Sequence, residues 1–275
     1  MRELLRVGAD VDLSAIDTSG TPGFVDGKAE GRVALAREAL ELADLQERLF
    51  AASRTAADAR NVLLVLQAMD TAGKGGIVKH VISAVDPQGV EFASFKAPTD
   101  EEKKHDFLWR IRPRVPGPGM IGVFDRSHYE DVLIHRVRGF STPEVIEERY
   151  GTIVDFEREL VEAGTTIVKV MLHISKDEQK ERLSERLERP DKHWKYNPGD
   201  VDEREHWDAY REAYQLAIGR TTTDAAPWFV VPADRKWYAR LAVQRLLIDA
   251  LRDLELEWPP ADFDVEAEKK RLAAT

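Results

Sequence analysis

A lysine within a glycine-rich turn is the first feature of this sequence whose residue types suit a chemical reaction. Lys74 follows Gly73, and the turn lies between an apolar run at 62–66 and a helical pattern that begins near Ile77. In such a turn the backbone N–H groups and the helix N-terminus surround phosphate oxygens, while the lysine reaches the transferring group. The pattern therefore predicts a P-loop in which phosphate contacts Lys74 and the backbone of Ala72, Gly73, Gly75 and Gly76.

Two positions of this turn depart from the common P-loop pattern. Ala68 occupies the first glycine position, and Gly75 occupies the position of the hydroxyl side chain that binds Mg²⁺. Asp70 lies within the turn, and its carboxylate is a replacement ligand for Mg²⁺, or for Mn²⁺ in its place. The alternative is an ordinary turn between a strand and a helix, with a solvated lysine. The strand before the turn, the helix after it and the acid inside it favour the phosphate site.

A second acid ends another apolar run. Asp125 follows the apolar residues 121–124, which is the Walker B pattern of an acid that binds the metal or its waters beside a P-loop. Arg126 comes next and is placed to contact phosphoryl oxygens. A strand-terminal Asp is often only a helix cap, so this interpretation depends on the pairing with the P-loop. The predicted catalytic residues are Asp70, Lys74, Asp125 and Arg126, and the predicted metal ligands are Asp70 and Asp125.

A helix rich in arginine follows the fourth apolar run. Ser175 and Glu178 form the S-x-x-E capping box that begins a helix, and Arg182, Arg186 and Arg189 then fall on one face. One interpretation is a solvated helix whose arginines pair with glutamates of the same helix. The other is a lid that closes over phosphates, with Arg182 and Arg186 bound to them. Further phosphate contacts are then expected from three lysines, Lys79, Lys192 and Lys195.

The composition limits the classes of protein to which the chain can belong. Its 275 residues are 43% hydrophobic and 33% charged, which is typical of a globular domain. The absence of cysteine excludes disulfides, thiolate metal sites and cysteine nucleophiles. A net charge of -10 argues against binding to nucleic acid or to acidic membranes, but not against an anion held in a locally basic cleft. With neither a signal segment nor an apolar run of about 20 residues, a cytoplasmic protein is expected.

Short apolar runs alternate with helical patterns along most of the chain. The apolar runs predict five strands, at 62–66, 90–95, 120–124, 167–174 and 228–231. The helical patterns predict helices at 30–52, 77–85, 100–111, 143–163, 177–189, 203–218 and 235–253. This alternation is typical of a parallel sheet. The predicted fold class is therefore α/β, a three-layer α/β/α sandwich of P-loop kinase type, with a parallel sheet of about five strands and a helical lid.

Four separate motifs, in the same order, resemble those of the polyphosphate kinase type 2 family. They are LQAMDTAGKGG at 66–76, FKAP at 95–98, HDFLWR at 105–110 and DRSHYEDVL at 125–133. The last motif resembles that of the class III subgroup, which accepts both nucleoside mono- and diphosphates. Members of that subgroup can carry Asn at the position of Asp125.

The resemblance implies an Mg²⁺-dependent phosphotransferase that moves phosphate reversibly between inorganic polyphosphate and AMP, ADP or GDP. It also implies a homodimer or tetramer. Lys96 and Glu130 are candidate nucleotide contacts, and Trp194 either stacks on the base or packs within the lid. We expect an N-terminal extension laid over the domain or loosely ordered, a P-loop kinase domain with its lid, and a charged tail, at 1–29, 30–258 (lid about 176–200) and 259–275.

Two other functions remain open from the residues. One is a conventional nucleotide kinase with ATP as donor, and the other is a non-catalytic P-loop protein that binds nucleotide or polyphosphate. ATP formation from ADP, Mg²⁺ and polyphosphate, without another donor, distinguishes the first from a polyphosphate kinase. Tight binding without transfer in a single-turnover assay would indicate the second. The two acids, the lysine and the arginines together favour catalysis.

Overall fold

The computed structural model describes residues 1–54 and 60–275. The strands in that part of the chain are β1 Arg6–Val7, β2 Asn61–Ala68, β3 Val90–Ser94, β4 Ile121–Asp125, β5 Thr165–His173 and β6 Trp228–Pro232. The α-helices there are α1 Arg2–Leu5, α2 Lys28–Ala52, α3 Lys74–His80, α4 Ile134–Val137, α5 Pro143–Glu162, α6 Lys176–Glu188, α7 Gly199–Glu203, α8 Trp207–Thr221, α9 Lys236–Arg252 and α10 Val265–Ala273.

The strands form one sheet that is parallel except at one edge. Its order is β1-β6-β5-β2-β4-β3, and β1 runs antiparallel to β6. On one face α9 packs on β2, β5 and β6 and is covered by α2 and α3, while α5 packs on β5 and is joined by α4 and α8. The predicted α/β/α class is confirmed, and all five predicted parallel strands are present. The additional strand, β1, is two residues long and too short to carry a readable pattern.

The central strand, β2, brings two predicted site segments to the same edge of the sheet. All of its residues are buried, as expected for a strand covered on both faces by helices. It pairs with β4 so that Leu66 lies beside Asp125, and with β5 so that Ala68 lies beside Leu172. Ligands of open parallel sheets bind at the carboxyl ends of the strands, which is where the predicted P-loop and Asp125 emerge.

The helix predicted at 100–111 is wrong. A capped turn does begin there, because the N–H of Glu102 donates to Thr99 Oγ1 and the N–H of Thr99 donates to the Glu102 carboxylate. The turn stops after one 3₁₀ segment, and Asp106 Oδ1 then accepts from the N–H of Leu108. An Asp side chain that accepts a hydrogen bond from the backbone two residues ahead stabilises a turn instead of a helix, and the chain forms such a turn at Asp106.

Part of the N-terminal segment, residues 1–29, packs against the rest of the described chain. Leu5 and Leu13 are buried in the main hydrophobic core, and Val7 pairs with Trp228 at the sheet edge. None of the helices in the described chain combines the length and the low polarity that crossing a bilayer requires.

Candidate active site

The loop between β2 and α3 has the backbone of an anion site. It begins after Ala68 and ends at Lys74, where α3 begins. Gly73 has a φ of 128°, a conformation that a side chain would strain, and its carbonyl oxygen accepts from the N–H groups of Gly76 and Ile77. The N–H groups of the preceding residues, Lys74 and Gly75, have no partner within the helix and are directed out of its N-terminus. Phosphate binding is expected where such groups meet the positive end of the helix.

Lys74 lies across its own loop. Its Nζ donates to the carbonyl oxygen of Ala68 at 3.0 Å, which uses one of the three ammonium donors and leaves two for phosphate oxygens. The side chain of Ala68 is buried in the hydrophobic core. The loop therefore accommodates alanine at the first glycine position by packing its methyl group inward.

Side chains of α6 hold three consecutive carbonyl groups of the loop. The Gln179 amide donates to the carbonyl oxygen of Asp70 at 2.9 Å. Arg182 Nη1 donates to the carbonyl oxygens of Thr71 at 3.0 Å and Ala72 at 2.8 Å. These bonds fix the carbonyl groups toward α6, and they tie the conformation of the loop to the helix that leads into residues 190–195.

The expected role of Arg182 needs correction, because the structure does not leave it available for phosphate. Its Nη2 donates to the carbonyl oxygens of Ala233 at 2.6 Å and Asp234 at 2.9 Å, and its Nε donates to Glu178 at 2.7 Å. Together with the two Nη1 bonds, these use all five N–H donors of the guanidinium. The side chain is only 4% exposed. Arg182 therefore positions the loop.

Asp125 and Arg126 lie beside the loop at the end of β4. Arg126 has a φ of 63°, which is uncommon for a residue with a side chain. Its backbone N–H donates to the carbonyl oxygen of Leu66 at 3.1 Å, and its Nη2 donates to Asp70 Oδ1 at 3.1 Å. The turned backbone thus brings together two predicted catalytic residues that are far apart in the sequence.

A buried polar network supports the segment after Arg126. The Tyr129 hydroxyl donates to Glu157 at 2.7 Å, and Lys169 Nζ donates to Glu157 at 2.6 Å and to the carbonyl oxygen of Thr221 at 2.8 Å. Burial lowers the pKa of the Lys169 ammonium, and the charge of Glu157 opposes this effect. Because these groups are nearly inaccessible to solvent, the network holds the segment in one position.

A basic cavity of about 580 Å³ opens over the loop. Eleven Lys and Arg residues and three acids line it, and no Phe, Tyr or Trp is among its described lining residues. The four predicted catalytic residues line this cavity, as do all nine predicted phosphate contacts, namely Ala72, Gly73, Gly75, Gly76, Lys79, Arg182, Arg186, Lys192 and Lys195, although the N–H donors of Arg182 are already used within the protein. The excess of cations and the lack of aromatic surface fit an extended polyanion better than a nucleoside base.

A second cavity, of about 200 Å³, meets the first at Asp70 and Arg126. Its walls are of a different kind, with three aromatic and four acidic residues, Trp207, Tyr210, Tyr214, Asp70, Glu130, Asp200 and Glu203. Burial raises the pKa of the Glu130 carboxyl, although Arg126 and Lys74 oppose the shift. Aromatic rings and a few hydrogen-bond acceptors are the surfaces that a nucleoside needs.

The three candidate nucleotide contacts do not come together. Lys96 lines the basic cavity, and Glu130 lines the second cavity. Trp194 lines neither of them and is 78% exposed. Its Nε1 donates to the carbonyl oxygen of Asp191 at 3.1 Å, and Lys195 Nζ lies 4.8 Å from the ring centroid.

Several lining residues were not predicted from the sequence. On α8, Tyr210 and Tyr214 are four residues apart and share the face that borders the second cavity. On α9, Lys236 and Arg240 have the same spacing and face the basic cavity. In the sequence, the spacing of four residues places each pair on one helix face. It does not indicate which cavity that face borders.

The donor groups present fit a magnesium ion. Within residues 1–54 and 60–275, no cluster of three or more His, Asp or Glu side chains is arranged to hold a metal. Mg²⁺ does not need one, since it is commonly bound by one or two carboxylates together with waters and substrate phosphates. Asp70 and Asp125 supply two carboxylates at the basic cavity. In the described chain, the Asp125 carboxylate has no hydrogen bond or ion pair of its own.

Comparisons with known proteins agree with this geometry. Residues 26–258 match the family model described as Polyphosphate kinase 2 (PPK2). An AMP/ADP-polyphosphate phosphotransferase of Meiothermus ruber is 45% identical, over 90% of this chain and 91% of that protein. An ADP-polyphosphate phosphotransferase of Rhodopseudomonas palustris is 40% identical, over 92% and 89%. The crystal structure of Polyphosphate Kinase 2 from Arthrobacter aurescens TC1 superposes with a TM-score of 0.97 at 58% identity, covering 100% of this chain and 96% of that chain.

Proposed function

The chain belongs to the polyphosphate kinase 2 family, and we propose that it transfers phosphoryl groups between inorganic polyphosphate and nucleoside mono- and diphosphates. The observation that carries this proposal is the meeting of two unlike cavities at Asp70 and Arg126. The basic cavity suits the polyphosphate chain, and the aromatic, acidic cavity suits the nucleoside. Phosphoryl transfer requires donor and acceptor phosphates aligned at one point, and the two shared residues mark that point.

In the proposed reaction, an oxygen of the nucleotide's terminal phosphate attacks the end phosphorus of polyphosphate. A new P–O bond forms to the nucleotide while the anhydride bond breaks, and the shortened polyphosphate leaves with that electron pair on its oxygen. The attacking oxygen is largely ionised at neutral pH, since the second pKa of a phosphate is about 6, so no strong general base is needed. The reaction is expected to be reversible, because both anhydrides are similar in energy. The same groups act in the reverse direction.

Catalysis then depends on charge and position. Lys74 and Arg126 donate to the oxygens of the transferring group, where negative charge must be stabilised. Asp70 orients the Arg126 guanidinium through their 3.1 Å contact. Asp70 and Asp125 are the proposed ligands of Mg²⁺ or Mn²⁺, and either ion, when bound, would neutralise charge on the phosphate oxygens.

Residues 176–200 are the proposed lid. Arg186 Nη1 donates to the carbonyl oxygen of Lys195 at 2.9 Å and contacts Asp200 at 3.3 Å. These contacts join the C-terminal end of α6 to the segment that follows it. Arg186, Lys192 and Lys195 all line the basic cavity. We propose that these three residues contact polyphosphate when the segment closes.

We further propose a cytoplasmic location and an assembly into a homodimer or tetramer. Light scattering is the direct test of the assembly.

Both AMP and ADP are the proposed acceptors. The name of the Meiothermus ruber relative gives both nucleotides, and the name of the Rhodopseudomonas palustris relative gives ADP. The test is a panel of adenine and guanine mono- and diphosphates with polyphosphate as the sole donor, with the products separated by chromatography. Formation of ADP from AMP and of ATP from ADP supports the proposal. Products from ADP alone would restrict the acceptor range, and no product from any nucleotide would contradict the proposal.

A further inference from the structure

The basic surface continues beyond the cavity over the P-loop. A third cavity, of about 540 Å³, shares Lys236 and Arg240 with the basic cavity and reaches the first turns of α2. It is lined by Lys28, Arg32, Glu178, Asp234, Arg235, Lys236, Trp237 and Arg240. Both acids are engaged elsewhere, because Glu178 accepts from Arg182 and Asp234 accepts from the N–H of Ser175. Lys236 pairs with Glu185 at 3.3 Å, whereas Lys28, Arg32 and Arg240 have no ion pair within the described residues.

Arg240 is the clearest case. It is partly buried, and in the described chain it has neither an ion pair nor a hydrogen bond. Burial lowers the pKa of its guanidinium, and repulsion from Arg32 and Arg182 lowers it further. It also borders the P-loop helix, since a methyl group built on Gly76 would lie 3.7 Å from Arg240 Nη2. Removing a cation from water among other cations is costly unless an anion compensates it.

Lys28 and Arg32 extend this row of cations away from the P-loop. Both are exposed, lie one turn apart at the start of α2, and have no ion pair within the described residues. Arg37, farther along the same helix, is instead paired with Glu38. Arg48 of α2 is also paired, with Asp44, so in the described chain the cations of this helix that have no ion pair are the two at the end that borders the third cavity.

We propose that Arg240, Arg32 and Lys28 form an outer binding track for the polyphosphate chain, so that the enzyme prefers long chains to short ones. This inference rests on the proposed function. The reacting end of the chain lies at Lys74, and the following phosphates pass Gly76 and Arg240 toward Arg32 and Lys28. A short chain such as triphosphate fills the basic cavity, where Arg240 is within its reach, but does not extend to Arg32 and Lys28.

The test compares two donors, triphosphate and long-chain polyphosphate, each with ADP as acceptor. In the double variant Lys28→Gln and Arg32→Gln, the KM for long-chain polyphosphate is expected to rise about tenfold, as for the loss of two charge-assisted contacts. Its salt dependence is expected to become shallower, because fewer counterions are exchanged. The kinetic constants for triphosphate should stay within about twofold of wild type, because triphosphate does not reach these residues. Both substituted side chains are exposed, so the fold should be retained.

Arg37→Gln is the matched control, since it removes an exposed arginine from the same helix and should leave both donors unaffected. Arg240→Gln should also raise the KM for the long chain, and Arg240→Lys should restore most of the affinity because it keeps the charge. An unchanged long-chain KM in both the Lys28/Arg32 and the Arg240 variants, with normal triphosphate activity, would overturn the track while leaving the proposed function intact. A wild-type protein inactive with both donors would instead overturn the proposed function.

Discussion

Arg182 Nη1 lies 2.8 Å from the carbonyl oxygen of Ala72, and this contact joins α6 to the loop between β2 and α3. Lysine has three donors on a compact ammonium and cannot reproduce five bonds from a planar fork. In Arg182→Lys, turnover is therefore expected to fall about 10²-fold through misplacement of the loop. The KM for polyphosphate should change little. Steady-state kinetics with polyphosphate and ADP provides the measurement.

The two roles considered for Arg182 give opposite kinetic results. A raised KM for polyphosphate with unchanged turnover would mean that the side chain binds substrate after all. Arg158→Lys is a suitable control, because Arg158 is an exposed arginine of α5 paired with Asp155 and remote from the proposed chemistry. Thermal melting of both variants separates a displaced loop from a general loss of fold.

Asp70→Asn tests the proposed metal site. Asparagine keeps an oxygen that can accept from Arg126 but loses the negative charge that attracts a cation. The Mg²⁺ concentration for half-maximal activity is expected to rise about tenfold or more, and Mn²⁺ should show the same trend. The measurement is the initial rate as a function of metal concentration. Removal of the metal by a chelator should abolish the activity of the wild type. An unchanged metal dependence in the variant would remove Asp70 from the ligand set.

The buried pair of Lys169 and Glu157 predicts a strong asymmetry in stability. Lys169→Met leaves Glu157 charged and buried, and it should lower the free energy of unfolding by about 3–5 kcal/mol. Adding Glu157→Leu removes the stranded charge and should recover most of that loss. The Tyr129 hydroxyl retains a partner, since it lies 3.0 Å from Thr221 Oγ1. Urea unfolding of the two single variants and the double variant measures the coupling, and strictly additive losses would contradict it.

The sequence predicted those parts of the molecule that depend on local patterns. Buried parallel strands are continuous apolar runs, so β2, β4 and β5 could be recognised directly, and the strand ends that bring Asp70 and Asp125 to one edge followed from them. The capping box at Ser175 was also local, and the N–H of Glu178 does donate to Ser175 Oγ at 3.1 Å.

The parts that could not be predicted depend on tertiary packing. Arg182 and Arg186 have similar sequence environments, yet only Arg182 meets the free carbonyl groups of the loop. Tyr210 and Tyr214 border the second cavity because of the way α8 packs against α4 and α5. The spacing of residues in the sequence does not predict tertiary contacts of this kind.

The central claim is tested most directly by incubating the protein with ADP, Mg²⁺ and polyphosphate and no other phosphate donor. ATP is expected to form in proportion to enzyme, with matching shortening of the polyphosphate. Lys74→Ala should reduce the rate about 10²-fold or more, since it removes a pre-organised charge at the transferring group. Absence of ATP, equal ATP formation without polyphosphate, or a near-normal rate in Lys74→Ala would contradict the account.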